Sequence, residues 1–243
     1  MGYVKSIILG DFIEIYEYEK DLPKKKLFIR KKRVARIGDL RVLRYDNFRG
    51  REKRFKRLIV ANCGGEDPVA LVTLTMLREV SVSLSYVFLK RFIRRLYQSQ
   101  GRGFRYVAVL EFQKRGAIHF HVLIWGLPDY VIKEEKFVRN LQRFWQRGFV
   151  DCRSGYGNFT IANYLSKYLS KTMSDKRLCG RRAYCSSRNI LRPVLVTSMS
   201  PFSYSKTLFG KDLRKEKPIC EKHFISKWLG SGCYRLYDIK KNI

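Results

Sequence analysis

Apolar and polar residues alternate from Val4 to Tyr18, where Ile7, Leu9, Phe12, Ile13 and Ile15 sit among polar neighbours. That period predicts a strand. Val69-Ala70-Leu71-Val72-Thr73-Leu74-Thr75-Met76 is β-rich on both faces and predicts a central strand. From Val82 to Gln100 the period changes to that of a helix. Leu84, Val87, Phe88, Phe92, Leu96 and Tyr97 supply its apolar stripe, and Lys90, Arg91, Arg94 and Arg95 its wet face. Gly101 and Gly103 end it. Val107 to Ile124 reads as strand, tight turn, strand, with Lys114-Arg115-Gly116 near the turn. After the break at Gly126-Leu127-Pro128-Asp129, Lys133 to Arg147 predicts a second helix with Phe137, Leu141, Phe144 and Trp145 inward. Asn158 can cap a third helix running to about Lys171. Beyond it, Arg177 to Arg192 is basic and turn-rich, and few periods follow Leu195. No internal repeat is present. The order β, α, β, β, α, α predicts an α+β fold, an antiparallel sheet with helices on one or both faces.

The 243 residues are 45% hydrophobic, enough to pack a core. The expected division is a basic N-terminal segment (1–66), a core (67–175) that carries the motifs below, and a basic C-terminal extension (176–243). The formal net charge is +30, and such an excess repels itself unless a polyanion offsets it. Nucleic acid is the first candidate and an anionic membrane surface the second. No apolar stretch spans a bilayer. Asp11, Glu14, Glu17 and Glu19 interrupt what a secretory signal needs, so a cytoplasmic protein with reduced thiols is expected. Met1 to Ser6 fits the loose myristoylation pattern, but the segment continues as a strand, and a chance match explains it. The cysteines show no Cys-x-x-Cys spacing, and Cys220-x-x-His223 with Cys179 and Cys185 is too irregular to specify a zinc site. Lys24 to Arg57 is dense in Lys and Arg, yet Leu27, Phe28, Ile29, Val34, Ile37 and Leu40 interleave. This predicts a basic face that folds, with Lys31, Lys32 and Arg33 contacting phosphates.

Two of the three histidines stand as His119-Phe120-His121 on one predicted strand. Alternation puts both imidazoles on one side and the phenylalanine on the other. Glu111 lies on the preceding strand, and a turn near Arg115-Gly116 brings it beside them. Two imidazoles and a carboxylate leave coordination positions open, which suits Mg²⁺ or Mn²⁺ with a substrate phosphate. Tyr164-Leu165-Ser166-Lys167-Tyr168-Leu169-Ser170-Lys171 repeats Tyr-x-x-Lys on the third helix. At about 100° per residue the two tyrosines fall within roughly 40° of each other, at the edge of the buried stripe of Ile161, Leu165 and Leu169. Lys167 and Lys171 point further round the wet side. Taken singly, each element has a structural explanation. The combination, in this order and in so basic a chain, points to chemistry on a phosphodiester.

These motifs resemble those of the HUH endonuclease superfamily of rolling-circle replication initiators, over roughly Pro68 to Lys171. Val72 to Met76 is similar to its first motif, His119-Phe120-His121 to its second, and Tyr164 to Lys171 to its third in the two-tyrosine form. The resemblance implies a central antiparallel sheet of ferredoxin-like or RNA-recognition type. It implies a divalent metal held by Glu111, His119 and His121. Tyr164 and Tyr168 would be nucleophiles assisted by Lys167 and Lys171, and Thr73, Thr75 and Arg115 would lie along the DNA. The activity it implies is nicking and rejoining of single-stranded DNA at a replication origin, often a hairpin, through a 5′-phosphotyrosine link. The chain has no Gly-x-x-x-x-Gly-Lys-Ser/Thr loop, so a host helicase and polymerase would serve as partners. A single-strand transposase shares this chemistry; a hydrolytic metallonuclease and a non-catalytic nucleic-acid-binding protein are the further alternatives.

Overall fold

The computed structural model of the protein describes residues 2–22, 37–64, 67–157, 159–178, 181–196 and 212–239. Lys31, Lys32 and Arg33, Asn158 and Cys179 lie outside them. The chain is α+β and divides into two compact units, Phe48–Ile190 and Met1–Asn47 with Leu191–Ile243.

The central unit is built on a five-stranded antiparallel sheet. Its strands are β3 (Pro68–Thr75), β4 (Arg105–Phe112), β5 (Ile118–Trp125), β6 (Val150–Tyr156) and β7 (Tyr184–Ser186), in the order β6-β3-β5-β4-β7. Helix α2 (Val82–Gln100) joins β3 to β4. The short α3 (Asp129–Lys133) and α4 (Glu135–Trp145) join β5 to β6. Strand, helix, strand, strand, helix, strand, with the first and third of the four strands side by side at the centre, is the ferredoxin-like arrangement. The predicted order lacks β6. Its sequence, Val150-Asp151-Cys152-Arg153-Ser154-Gly155-Tyr156, has too few apolar residues for an alternation to register.

Side chains alternate across this sheet and divide it into two faces. Ala70, Val72 and Leu74 of β3 pair with Ile124, Val122 and Phe120 of β5, and all six are fully buried. Helix α2 covers this face, with Tyr86 edge-on to Phe120, and α4 packs beside it through Phe92 and Trp145. The predicted stripe of α2 is rotated. Val82, Ser85, Leu89, Phe92, Ile93 and Leu96 are buried, whereas Leu84 and Val87 are exposed at 42% and 41%. Ser81 caps the helix through Leu84 N–H, so the register is set from its first turn. The opposite face carries Thr73, Thr75, Glu111, His119 and His121. Helix α5 (Phe159–Met173) packs against β4, and Thr172 Oγ1 donates to the Leu110 carbonyl at 2.5 Å.

The terminal unit contains a second antiparallel sheet. Its strands are β1 (Val4–Leu9), β2 (Phe12–Tyr18), β8 (Val194–Val196), β9 (Cys220–Ser226) and β10 (Gly230–Asp238), ordered β8-β1-β2-β10-β9. The single strand predicted from Val4 to Tyr18 is a hairpin, because the chain reverses at Gly10, whose φ of +62° suits glycine. Ile13, Ile15, Leu213, Tyr237 and Ile239 form its buried cluster. Strands β8 to β10 leave no clear apolar period: β8 is three residues long, β9 is largely exposed, and β10 is half-buried with Leu236 and Tyr237 buried side by side rather than in alternation. Helix α1 (Ile37–Val60) runs through part of the basic segment, and its Phe55, fully buried, meets the Tyr184 ring edge-on. No helix among the described residues is long and apolar enough to cross a membrane.

Phe120 is wedged between β3, β5 and α2 directly behind the histidines. Phe120→Ala is expected to destabilise the protein by about 3–5 kcal/mol, read by urea denaturation, because a cavity of that size cannot collapse under a sheet.

Candidate active site

The β4–β5 hairpin positions the acid and the imidazoles. Gln113 N–H donates to the Ala117 carbonyl and Gly116 N–H to the Gln113 carbonyl, closing the turn. Gly116 has φ +91°, a backbone conformation that favours glycine. This turn sets Glu111 opposite His119 and Val109 opposite His121. On the other side, β3 sets Thr73 opposite His121 and Thr75 opposite His119.

Glu111 is the hub. Its Oε2 lies 2.8 Å from His121 Nε2, and its Oε1 accepts from Lys171 Nζ at 2.5 Å. Burial works against its charge, but the contacts with His121 and Lys171 outweigh it and bring its pKa down to about 2. Thr73 Oγ1 lies 3.4 Å from His121 Nδ1. His119 is different: its Nε2 is buried and has no hydrogen-bond partner among the described residues. Burial and the neighbouring His121 lower its pKa, so it is a neutral imidazole with a lone pair to offer.

The ligand atoms of Glu111, His119 and His121 all lie within 4.8 Å of one another. An orphaned buried nitrogen is costly unless something binds it. Two imidazoles and a carboxylate so placed fit a divalent cation, with Thr73 able to orient His121 from the outer side. The Lys171 ammonium offsets the charge of Glu111.

Helix α5 brings the tyrosines to the same place. The Tyr168 ring stacks on the His121 ring, centroids 3.7 Å apart and planes 22° from parallel. Its hydroxyl donates to the Tyr164 hydroxyl at 2.8 Å. Tyr168 is half-buried, and Tyr164 is 36% exposed. Burial first, then the hydrogen bond to Tyr164 and the charge of Glu111, push the Tyr168 hydroxyl well above its ordinary range; Arg153 acts in the opposite sense.

The remaining predicted residues lie around this centre. Thr75 is half-buried beside His119, and its carbonyl accepts from Trp145 Nε1 at 2.8 Å. Arg115 is exposed at the hairpin turn, where it donates to the Met76 carbonyl and its charge reaches His119. Lys167 is exposed, and no ion pair or hydrogen bond ties it to the cluster among the described residues. Lys171, expected on the wet side, instead reaches back to Glu111, although most of its side chain stays exposed. Sequence reasoning missed Arg153. It sits on β6 opposite Leu71, on the same face as Thr73, and belongs to the strand whose pattern is too polar to announce itself.

Residues 69–173 match the family model of replication-associated protein ORF2/G2P. The match supports a role in replication. It runs from β3 to the end of α5 and takes in Thr73, the Glu111–His119–His121 cluster and both tyrosines. No curated protein and no solved structure matches the chain.

Two outcomes follow from this geometry. Removing the Thr73 hydroxyl in Thr73→Val should weaken Mn²⁺ binding by about 10- to 100-fold, measured by calorimetry, because an outer-side partner orients the imidazole. The second concerns acid stability without metal. The fold holds the Glu111 pKa below its ordinary 4.5, at about 2, so its contribution is complete above pH 4.5 and is lost as the pH falls towards 2. Glu111→Gln should flatten the stability profile across that window in urea titrations run with chelator.

Proposed function

We propose that the protein is a replication initiator of the HUH two-tyrosine type, a metal-dependent endonuclease and strand transferase acting on single-stranded DNA. One observation carries this reading. The Tyr168 ring lies on His121, its hydroxyl 2.8 Å from that of Tyr164, beside a buried His119 nitrogen that has no partner. The family match adds the replication context.

A divalent ion such as Mg²⁺ or Mn²⁺, held by Glu111, His119 and His121, would polarise the scissile phosphate and offset the charge of phosphoryl transfer. The rest falls to the chain itself. A tyrosine oxygen attacks phosphorus in line. The phosphorus–O3′ bond breaks, the leaving oxygen takes a proton, and a 3′-hydroxyl is freed while the 5′-phosphate stays on the phenol. The bond energy is retained in that ester, so rejoining needs no nucleotide. Two hydroxyls this close can serve one phosphate position in turn, which suits a second cut while the first strand is still held. Lys171, Lys167, Arg115 and Arg153 are the cations for the phosphates on either side, and Thr75 lies at the edge of the same face. The accessible part of that face, along Thr73, Thr75 and Arg153 beside α5, is where a strand can lie, and the net charge of +30 gives the protein affinity for DNA. A hairpin origin, with a host helicase and polymerase, completes the expected setting.

The test is to incubate the protein with origin single strands and Mn²⁺ and look for an adduct that survives denaturant. Tyr164→Phe with Tyr168→Phe together should abolish it, and His121→Ala should abolish cutting but keep salt-sensitive DNA binding. Cutting without an adduct would identify a hydrolytic nuclease. DNA binding that ignores metal and leaves no adduct would identify a non-catalytic binding protein. An adduct formed as a dimer on paired element ends would identify a transposase.

A further inference from the structure

The third histidine of the chain lies in the terminal unit, in a second cluster of metal-ligating side chains. His223 on β9 stands directly opposite Cys233 on β10, and Arg235 stands opposite Glu221. Cys233 is also opposite Glu17 of β2, so these side chains share one face of the sheet. The ligand atoms of Glu221, His223 and Cys233 all lie within 4.8 Å of one another.

The carboxylate is already oriented. Glu221 Oε1 lies 3.3 Å from His223 Nε2, while Oε2 accepts from Arg235 Nε at 2.9 Å. Arg235 also pairs with Glu17. The Cys233 sulfur lies within 4.8 Å of the Glu221 carboxylate. One carboxylate oxygen, one imidazole nitrogen and one sulfur therefore converge, and the guanidinium steadies the carboxylate from its other oxygen. Charge favours a cation here although the chain as a whole is strongly basic. With Cys233 as thiolate, Glu17 and Glu221 bring the local sum to two negative charges after Arg235 is counted, which one divalent ion balances.

A sulfur, nitrogen and oxygen donor set selects Zn²⁺ over Mg²⁺ or Mn²⁺. The site also has a structural use. Among the described residues the buried cluster of this unit has five members, and β9 is an edge strand. A metal held between β9 and β10 would tie that edge strand to its neighbour. Cys220 takes no part, since it lies on the opposite face of β9, and Cys185 belongs to β7 of the central unit.

We infer that Glu221, His223 and Cys233 form a zinc site that staples the β9–β10 hairpin. This site is independent of the Glu111 cluster, which contains no thiol. Titration of the full-length protein with Co²⁺ should produce a saturable thiolate-to-cobalt charge-transfer band, and in Glu111→Ala it should saturate at one equivalent. Cys233→Ser should abolish the band, His223→Ala should weaken Co²⁺ binding at least about tenfold, and Glu111→Ala should leave the band intact. Zn²⁺ should slow amide exchange across Cys220–Asp238 in the wild type and not in Cys233→Ser. No band, a band that survives Cys233→Ser, or amide exchange unmoved by Zn²⁺ would each overturn the inference.

Discussion

The Glu111 carboxylate is the contact on which the central arrangement depends. One oxygen meets His121 and the other takes the Lys171 ammonium, so a single side chain ties β4, β5 and α5 together. Helix α5 is thereby anchored over the open face of the sheet at a fixed rotation. That rotation lays Tyr168 on the imidazole and aims both phenol oxygens at the same space. Thr172, one residue on from Lys171, repeats the anchor by bonding to the β4 backbone. The helix is held at adjacent positions by a charge and by a hydroxyl, and a lateral slip would break both.

The two faces of the central sheet divide the work. The face behind is apolar and closed by α2 and α4, which makes β3 and β5 rigid. The face in front is mixed: Val107, Val109, Leu123 and Trp125 are buried on it, and the polar side chains gather around Glu111, His119 and His121. Among the described residues two buried side-chain polar atoms have no hydrogen-bond partner, His119 Nε2 and Trp125 Nε1, and His119 is the one that lies in the cluster. A buried donor set with one unmet lone pair, held by a packed sheet, is pre-organised for a cation and needs little rearrangement to take one. The Lys171 ammonium already pairs with the same carboxylate.

The histidines, Glu111 and the tyrosine helix were legible in the chain because each relies on a short period. Alternation over three residues sets both imidazoles on one side, and a short turn returns the strand beside Glu111. The stretch from Pro68 to Lys171 that carried the motifs is nearly the stretch that the family model matches. Other features left no such trace. The stripe of α2 was misread by part of a turn, because Leu84 and Val87 are apolar yet exposed and Ser85 is polar yet buried. Strand β6 is too polar to be seen, and with it Arg153 went unnoticed. The terminal sheet pairs the first residues of the chain with the last, and no local pattern encodes such a pairing.

By itself the sequence determined the α+β class, the βαββ stretch through the hairpin, and which side chains could carry chemistry. These depend on local periodicity and on turn residues such as Gly116, which act within a few positions. Tertiary structure alone decided that Lys171 turns to Glu111, that Tyr168 lies on His121, and that His119 keeps a nitrogen unmet. It also decided that Cys233, rather than Cys220, faces His223. These are encounters between elements far apart in the chain, set by helix rotation and strand register, and packing selects them only once the elements meet.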